Sequence, residues 1–410
     1  MREPVALSTM DALRLKSEIV AHAHALGFDV ARVTSAEPFP ETQRILEERI
    51  DAGLMDGLPW FNRERAAVAG DPRSLLPQAR SIVCVGMSYL CDGDADASRP
   101  GAPAGRVARY AWGLDYHAVF KARLRDLHRF VQEHVGASAE ARALVDTARF
   151  TDRAAAARAG LGWYGKNTNI LTHTHGSWVL LGELLLDVAL PADPPLKTHC
   201  GGCTRCLPAC PTGALIAPGV LDNGRCISYL TIELRGPIPR DLRPLMGAWI
   251  FGCDLCQDVC PVNLRRVPRN HPEFMPRPAV GASPALIPLL RLSEDEFRER
   301  FKGSPIRRAK WAGLRRNVCV ALGNSGDAAA IPALIEALNG EPALVRGHAA
   351  WALGRLGGDA AGQALVARAD VEDDASVREE IALALTEAAG DTGVSEVEDI
   401  ASTRSINLHQ

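Results

Sequence analysis

No stretch of this sequence stays apolar for long enough to cross a bilayer. Its first residues, "MREPVALSTM", lack the basic-then-apolar order of an export signal. No GxGxxG follows a strand-like run and no P-loop occurs, so no nucleotide cofactor is signalled. These absences set the expectation of a cytoplasmic protein with no membrane contact. Hydrophobic residues at 47% and charged residues at 23% are ordinary for a globular chain. A length of 410 residues allows about two to four domains.

Against those absences stand eleven cysteines. In a reducing compartment disulfides are rare, so regular cysteine spacing points to metal or redox chemistry. Eight of the eleven lie between positions 200 and 260. The first run, "CGGCTRCLPACPTGAL", reads Cys200-x2-Cys203-x2-Cys206-x3-Cys210-Pro211. Three thiolates two apart wrap one corner of a 4Fe–4S cubane, and the fourth is exported to a neighbouring cluster. The second run, "FGCDLCQDVCP", holds Cys253, Cys256 and Cys260 but lacks a first member. Its exported Cys260 completes the first cluster with Cys200, Cys203 and Cys206. The second cluster then takes Cys253, Cys256 and Cys210, and Cys226 in "NGRCISYL" is the one cysteine left nearby. Zinc held by CxxC pairs is the competing reading, but it leaves the x3-Cys-Pro endings without a reason. Cys84, Cys91 and Cys319 read as small apolar residues.

The fold expected is mixed α+β. Residues 1–195 form an α/β domain, 196–265 a two-cluster ferredoxin-like domain, and 266–305 a connecting segment rich in Pro and Arg. HEAT-like α-solenoid repeats follow at 306–395, then a tail at 396–410. "DALRLKSEIVAHAHALGF" carries helical apolar spacing at Leu13, Ile19, Val20 and Leu26, and "SIVCVGMSYL" reads as a buried strand. "CDGDADASRPGAPAG" (91–105) reads as a surface loop. "ILTHTHGSWVLLGELLLDVAL" reads as a hairpin turning near Gly176. "ALGNSGD", "ALGRLGGD" and "ALTEAAGD" start at Ala321, Ala352 and Ala384, and Val-Arg pairs at 345 and 377 precede the last two. Stacked helix pairs of this kind bury a continuous core.

Two clusters carry single electrons, and the acceptor is expected in the first domain. There "LVDTARFTDRAAAARAGLGWYGKNTNIL" places Asp146 after an apolar pair, at a strand end. Thr151 and Asp152 cap a helix reaching Ala159. Gly160, Gly162 and Gly165 bracket a turn, with Lys166, Asn167 and Asn169 as donors. A carboxylate closed off from water there would have a raised pKa and hold a proton for delivery. A structural turn or cap is the equal alternative for Asp146.

Taken in order, "RYAWGLDYH", the Asp146 segment, the two cysteine runs, "RCISYL" and "VRGHAAWALGRLG" resemble the epoxyqueuosine reductase family. The resemblance spans about residue 10 to about 390, and its combination of motifs is far more specific than any one of them. It implies two 4Fe–4S clusters, cobalamin and a core similar to reductive dehalogenases. It also implies a two-electron conversion of epoxyqueuosine to queuosine at the wobble position of a tRNA anticodon. By position, Asp146 matches the proton donor. Cobalamin contacts would fall on Asp146, Ala108, Ile170 and Leu181, and less firmly on Ser228 and on Arg63, which the pattern does not separate from Arg65. The DxHxxG element that supplies a histidine ligand is incomplete at His117 and His128, so base-off cobalamin without one is expected, and both histidines read as helix-surface residues.

The partners implied are tRNA carrying epoxyqueuosine and an external electron donor, and the expected state is a monomer. Residues 200–316 hold 18 Lys and Arg against 10 Asp and Glu, whereas 317–410 hold 5 against 15. A basic middle favours an anionic partner. Its sharpest patch is Arg307, Arg308, Lys310, Arg315 and Arg316 around Trp311, with a solvated helix face as the plainer reading. Two other functions fit parts of the sequence. A small-molecule reductase of dehalogenase type needs neither the repeats nor the patch. An electron-transfer adaptor docked on the repeats needs neither cobalamin nor Asp146.

Overall fold

The computed structural model describes residues 8–93 and 102–390. The loop expected at 91–105 lies partly, and the tail at 396–410 wholly, outside these residues.

The first unit is built on a four-stranded sheet. Its strands are β1 (Val30–Ser35), β2 (Ser81–Ser88), β3 (Ala141–Leu144) and β4 (Val179–Leu186), in the order β1-β2-β4-β3. Every pairing in this sheet is antiparallel, as in an α+β architecture, while Arg106–Val107 pairs in parallel with Trp249–Phe251 of the cysteine region. β2 is buried along its whole length because both faces are covered, and its sequence is accordingly apolar throughout. Helices Thr9–Ala25 and Tyr116–Val135 pack on one face through Leu15, Ile19, Phe120, Leu124 and Leu127. The short helix Asp152–Arg158 covers the other with Ala154, Ala155 and Ala156.

Two local expectations change. In the first helix the inward stripe is Ala12, Leu15, Ile19 and Ala23, one residue per turn, while Leu13 is 45% exposed on the flank. The turn at Gly176 forms, with Thr172 and Gly176 bonded backbone to backbone. Its arms part, however: Ile170–Leu171 pairs with Trp163–Tyr164, and β4 joins the main sheet.

The cysteine region is loop-rich, with short helices at Ile227–Ile232 and Leu255–Asp258. The connecting segment is more ordered than its composition implies. It contains helices Leu286–Leu290 and Glu294–Arg300, the second started by a Ser293–Glu296 capping box. Five helices follow, Lys310–Ser325, Ile331–Leu338, Ala343–Leu356, Asp359–Ala369 and Ala375–Gly390. One hydrophobic core runs from Ile227 and Phe251 through Leu286 and Phe297 to Val345 and Ile381. The recurring arginines meet at one residue, Glu372: Arg346 donates twice to its carboxylate at 2.8 Å, and Arg378 donates to its backbone carbonyl at 3.3 Å.

Candidate active site

A cavity of about 410 Å³ opens between the sheet unit and the cysteine region. Ala108, Asp146, Ile170, Leu181 and Ser228 line it together with Cys210, Cys226, Cys253 and Cys256. Arg63 lies outside it. Its guanidinium pairs with Glu47 and Asp51 on the surface, because Arg63 opens a helix whose outer side faces helix Pro40–Asp51. Arg65, the alternative, donates to the Ala148 carbonyl at 3.2 Å and stacks 4.5 Å from the Trp60 ring.

One wall is the loop Gly165–Asn169 between the two short strands. Gly162 is required there, since a Cβ would stand 2.4 Å from Ile170 Cγ2 and 2.6 Å from the Leu171 carbonyl oxygen. Asn167, Thr168 and Asn169 line the cavity, and Asn167 also donates to the Cys256 carbonyl at 3.3 Å. Lys166 turns away, its Nζ donating to the Gly201 carbonyl at 2.8 Å. Tyr89 and Ser177 donate to Gln257 Oε1, both at 2.9 Å, which ties this wall to the cluster helix.

Asp146 follows β3 with a φ of 37°, a left-handed conformation uncommon for a residue with a side chain. Its side chain keeps 43% of its surface exposed. Tyr116 Oη donates to Asp146 Oδ2 at 2.7 Å, Arg308 Nη1 donates at 3.1 Å, and His117 Nε2 lies 3.6 Å away. Burial raises the carboxyl, but the Tyr116 bond, the Arg308 cation and the neighbouring His117 outweigh it and hold it below the usual range. The raised value expected from a closed site is therefore reversed in the free protein, where Asp146 is an anion. His117 also departs from a surface role: its side chain is 14% exposed, stacked on Tyr116 and bonded to Asp115. His128 bonds the Ala139 carbonyl. The residues that sequence reading missed are thus Tyr116 and His117. In sequence, Asp115-Tyr116-His117 carries only the signal of an incomplete DxHxxG element. Glu183 on β4 was also missed. It is 1% exposed with both carboxyl oxygens unpartnered, and burial, then Asp152 and Asp146, push it well up.

The eight cysteines separate into two neighbourhoods. The Cys206 thiol is raised by burial and then by nearby Cys200, Cys260 and Cys203. Burial raises Cys256 first, followed by Cys226, Asp254, Cys206 and Cys210. Burial also leads for Cys253 and Cys226, which feel Cys256 with Cys226 and Cys210 respectively. A donor set of eight thiols in two such groups fits two cubanes, each of which spreads four ligands over four irons. Among the described residues no three His, Cys, Asp or Glu side chains converge on a single ion.

The basic patch divides. Arg307 and Lys310 are exposed, and both line a second cavity of about 570 Å³ with Trp311 and Arg308. Arg315 is tied to the Leu290 and Glu341 carbonyls at 2.8 Å. Arg316 is 0% exposed and donates to the carbonyls of Leu230, Leu234 and Gly236. It pins the end of the Ile227–Ile232 helix to the first repeat helix and has no surface to offer a phosphate.

Comparison with known proteins accords with this layout. Residues 199–263 match a 4Fe–4S double cluster binding domain, 308–386 match HEAT repeats, and 70–147 match the family described as epoxyqueuosine reductase QueG, DUF1730. An epoxyqueuosine reductase of Bacillus cereus is 38% identical over 377 residues, covering 91% of this chain and 97% of its own. The chain belongs to the epoxyqueuosine reductase family. Its reaction is the reduction of epoxyqueuosine, and its iron–sulfur unit is of the double-cluster type. A solved epoxyqueuosine reductase carrying an epoxyqueuosine-modified tRNA-Tyr stem loop superposes with a TM-score of 0.86 at 36% identity, over 92% of this chain and 99% of that one. The epoxyqueuosine reductase of Bacillus subtilis, with its catalytic aspartate loop swung out of the active site, superposes with a TM-score of 0.86 at 35% identity, over 91% and 99%.

Proposed function

We propose that this chain reduces epoxyqueuosine within a tRNA anticodon, at the wobble position, with Asp146 delivering the proton to the epoxide oxygen. We read residues 1–195 as the cobalamin-binding catalytic unit, 196–265 as the two-cluster unit and 306–395 as the repeat unit. The observation that carries the reading is the shared cavity. Asp146, Arg308 and the second cysteine group all line it, so proton, substrate and electrons meet in one space.

The overall balance is two electrons and two protons per epoxide, giving an alkene and water. Cobalamin bound in the cavity would supply a reduced metal that delivers the electron pair. Ala108, Ile170, Leu181 and Ser228 offer it apolar walls and a hydroxyl edge, and Asn167 and Asn169 offer amides to meet its polar periphery. The residues present fit such a group. Ligation of the second cluster by Cys210, Cys226, Cys253 and Cys256 brings the electron path to the cavity wall.

Asp146 must gain a proton before it can give one. Arg308 stands between the two cavities, and a tRNA phosphate that drew its guanidinium away would lift the Asp146 pKa toward that of a working acid. Tyr116 then holds the carboxyl in place. Arg307 and Lys310 are the exposed members of the patch left to meet phosphate.

The test is Asp146→Asn in protein reconstituted anaerobically with iron, sulfide and cobalamin. Both cofactors should be retained, seen in the visible spectrum, while single-turnover reduction of a modified stem loop falls by about 10²-fold or more. Unchanged turnover would remove Asp146 from the reaction. Iron–sulfur absorbance without retained corrinoid would remove the cobalamin reading.

A further inference from the structure

The two cysteine groups differ in what they face. Cys210, Cys226, Cys253 and Cys256 line the cavity. None of the other four does. Cys203 is exposed, and Cys200, Cys206 and Cys260 are part-exposed. The cavity-lining four are part-exposed as well, so what sets the first group apart is its exposed member, Cys203, and its position off the cavity, which give outside electrons their most open approach there.

The two segments that carry this group hold charge of one sign. Residues 194–221, which carry Cys200, Cys203 and Cys206, contain no Asp or Glu. Residues 259–272, which carry Cys260, contain none either. Lys197 and Arg205 on the first segment and Arg265 on the second are exposed, without a carboxylate partner among the described residues. Lys166 adds a further cation, held against the Gly201 carbonyl at 2.8 Å. Two large apolar side chains stand among these charges. Leu264 is 62% and Val267 78% exposed, and the Leu264 amide bonds the Cys260 carbonyl at 3.2 Å, one turn from the ligand.

We propose that this face, Lys197, Arg205 and Arg265 around Leu264 and Val267, docks a small acidic one-electron carrier protein that reduces the exposed cluster. The inference rests on the cluster assignment above and names the partner of that electron path. Each encounter moves one electron: the carrier is oxidised by one and the cluster reduced by one. Two encounters supply the pair consumed by each epoxide. Carrier complexes of this type are small and transient, with opposite charges that steer the encounter and a modest apolar centre. An exposed apolar pair on the Cys260 segment, with exposed cations on both segments that carry this group, has that form. RNA phosphate is the other anion such a face could meet. It is less favoured because Arg307, Lys310 and Arg308, which face the second cavity, lie on a separate segment next to Asp146.

The experiment uses the reconstituted full-length protein and reduced flavodoxin, an acidic flavoprotein, as the probe. Cluster bleaching is followed by stopped flow for the wild type and for Arg205→Glu with Arg265→Glu. The second-order rate should fall about tenfold or more in the double variant, and should fall with salt in the wild type. Photoreduction by neutral deazaflavin should reach the same end point in both proteins. Affinity for oxidised flavodoxin, read without turnover, should weaken in parallel. An unchanged flavodoxin rate with intact clusters would overturn the inference and leave the functional reading standing. Weakened binding of the stem loop with an unchanged flavodoxin rate would assign the face to RNA. A wild type without iron–sulfur absorbance would remove the cluster reading and this inference with it.

Discussion

Arg308 holds two carboxylates from opposite sides of the candidate site, Asp146 Oδ2 at 3.1 Å and Glu233 Oε1 at 2.6 Å. Asp146 lies on the sheet unit, Glu233 follows the helix beside Cys226, and Arg308 enters from the repeats. Three parts of the chain thus set the charge of one acid.

Removing that cation should move the pH dependence. Asp146 is active when protonated, so its rate falls as pH rises through its pKa. Arg308→Met takes away one of the groups that lower that pKa. The alkaline limb should therefore shift upward. Single-turnover profiles at subsaturating stem loop, which report the ionisation of the free protein, measure this. A limb that stays in place would mean another group supplies the proton.

Cys226→Ser should cost one cluster and spare the other. Iron and sulfide content should fall by about half, in line with four ligands per cubane. Full iron content and an unchanged spectrum would show that Cys226 is no ligand.

Arg316→Met should destabilise the protein by about 3 kcal/mol, because one buried and two part-buried carbonyls lose their donor at once. Lys310→Ala, on the exposed part of the patch, should leave stability within about 0.5 kcal/mol. Denaturant midpoints compare the two. Equal, small effects would contradict the structural role given to Arg316.

Glu372→Gln should loosen the repeats, leaving buried Arg346 with only the exposed Glu341 as its anion, at a cost of about 3 kcal/mol, the low end for a broken buried pair. The Arg346 bonds hold Glu372 at about 2, below its unfolded value. A depressed pKa of this kind adds stability above the unfolded value, lost as pH falls from about 4.5 toward 2. Wild type should lose stability across that window more steeply than Glu372→Gln. Thermal melts at stepped pH test this, and parallel curves would refute it.

What could be read from the sequence was local. Cysteine ligand loops are short, so spacing and the Cys-Pro endings carry most of their geometry. The repeats announced themselves by period, and the aligned Arg346 and Arg378 turned out to share Glu372. Asp146 was legible because a strand end and its turn are contiguous. Its partners were not. Tyr116 is 30 residues away and Arg308 is 162 away, and no periodicity links them. Arg316 misled for a related reason: a run of basic residues looks the same whether its side chains face water or satisfy carbonyls.

The sequence by itself determined the chemistry available to this protein: eight thiols in two runs, a carboxylate after a strand, and helix pairs that must stack. Those are properties of neighbouring residues, fixed by short-range geometry. Tertiary structure alone decided the ionisation of Asp146 and the fate of the arginines. A carboxylate's pKa depends on which charges stand within a few ångströms, and an arginine's role depends on whether water reaches it. Both are set by packing between segments far apart in the chain.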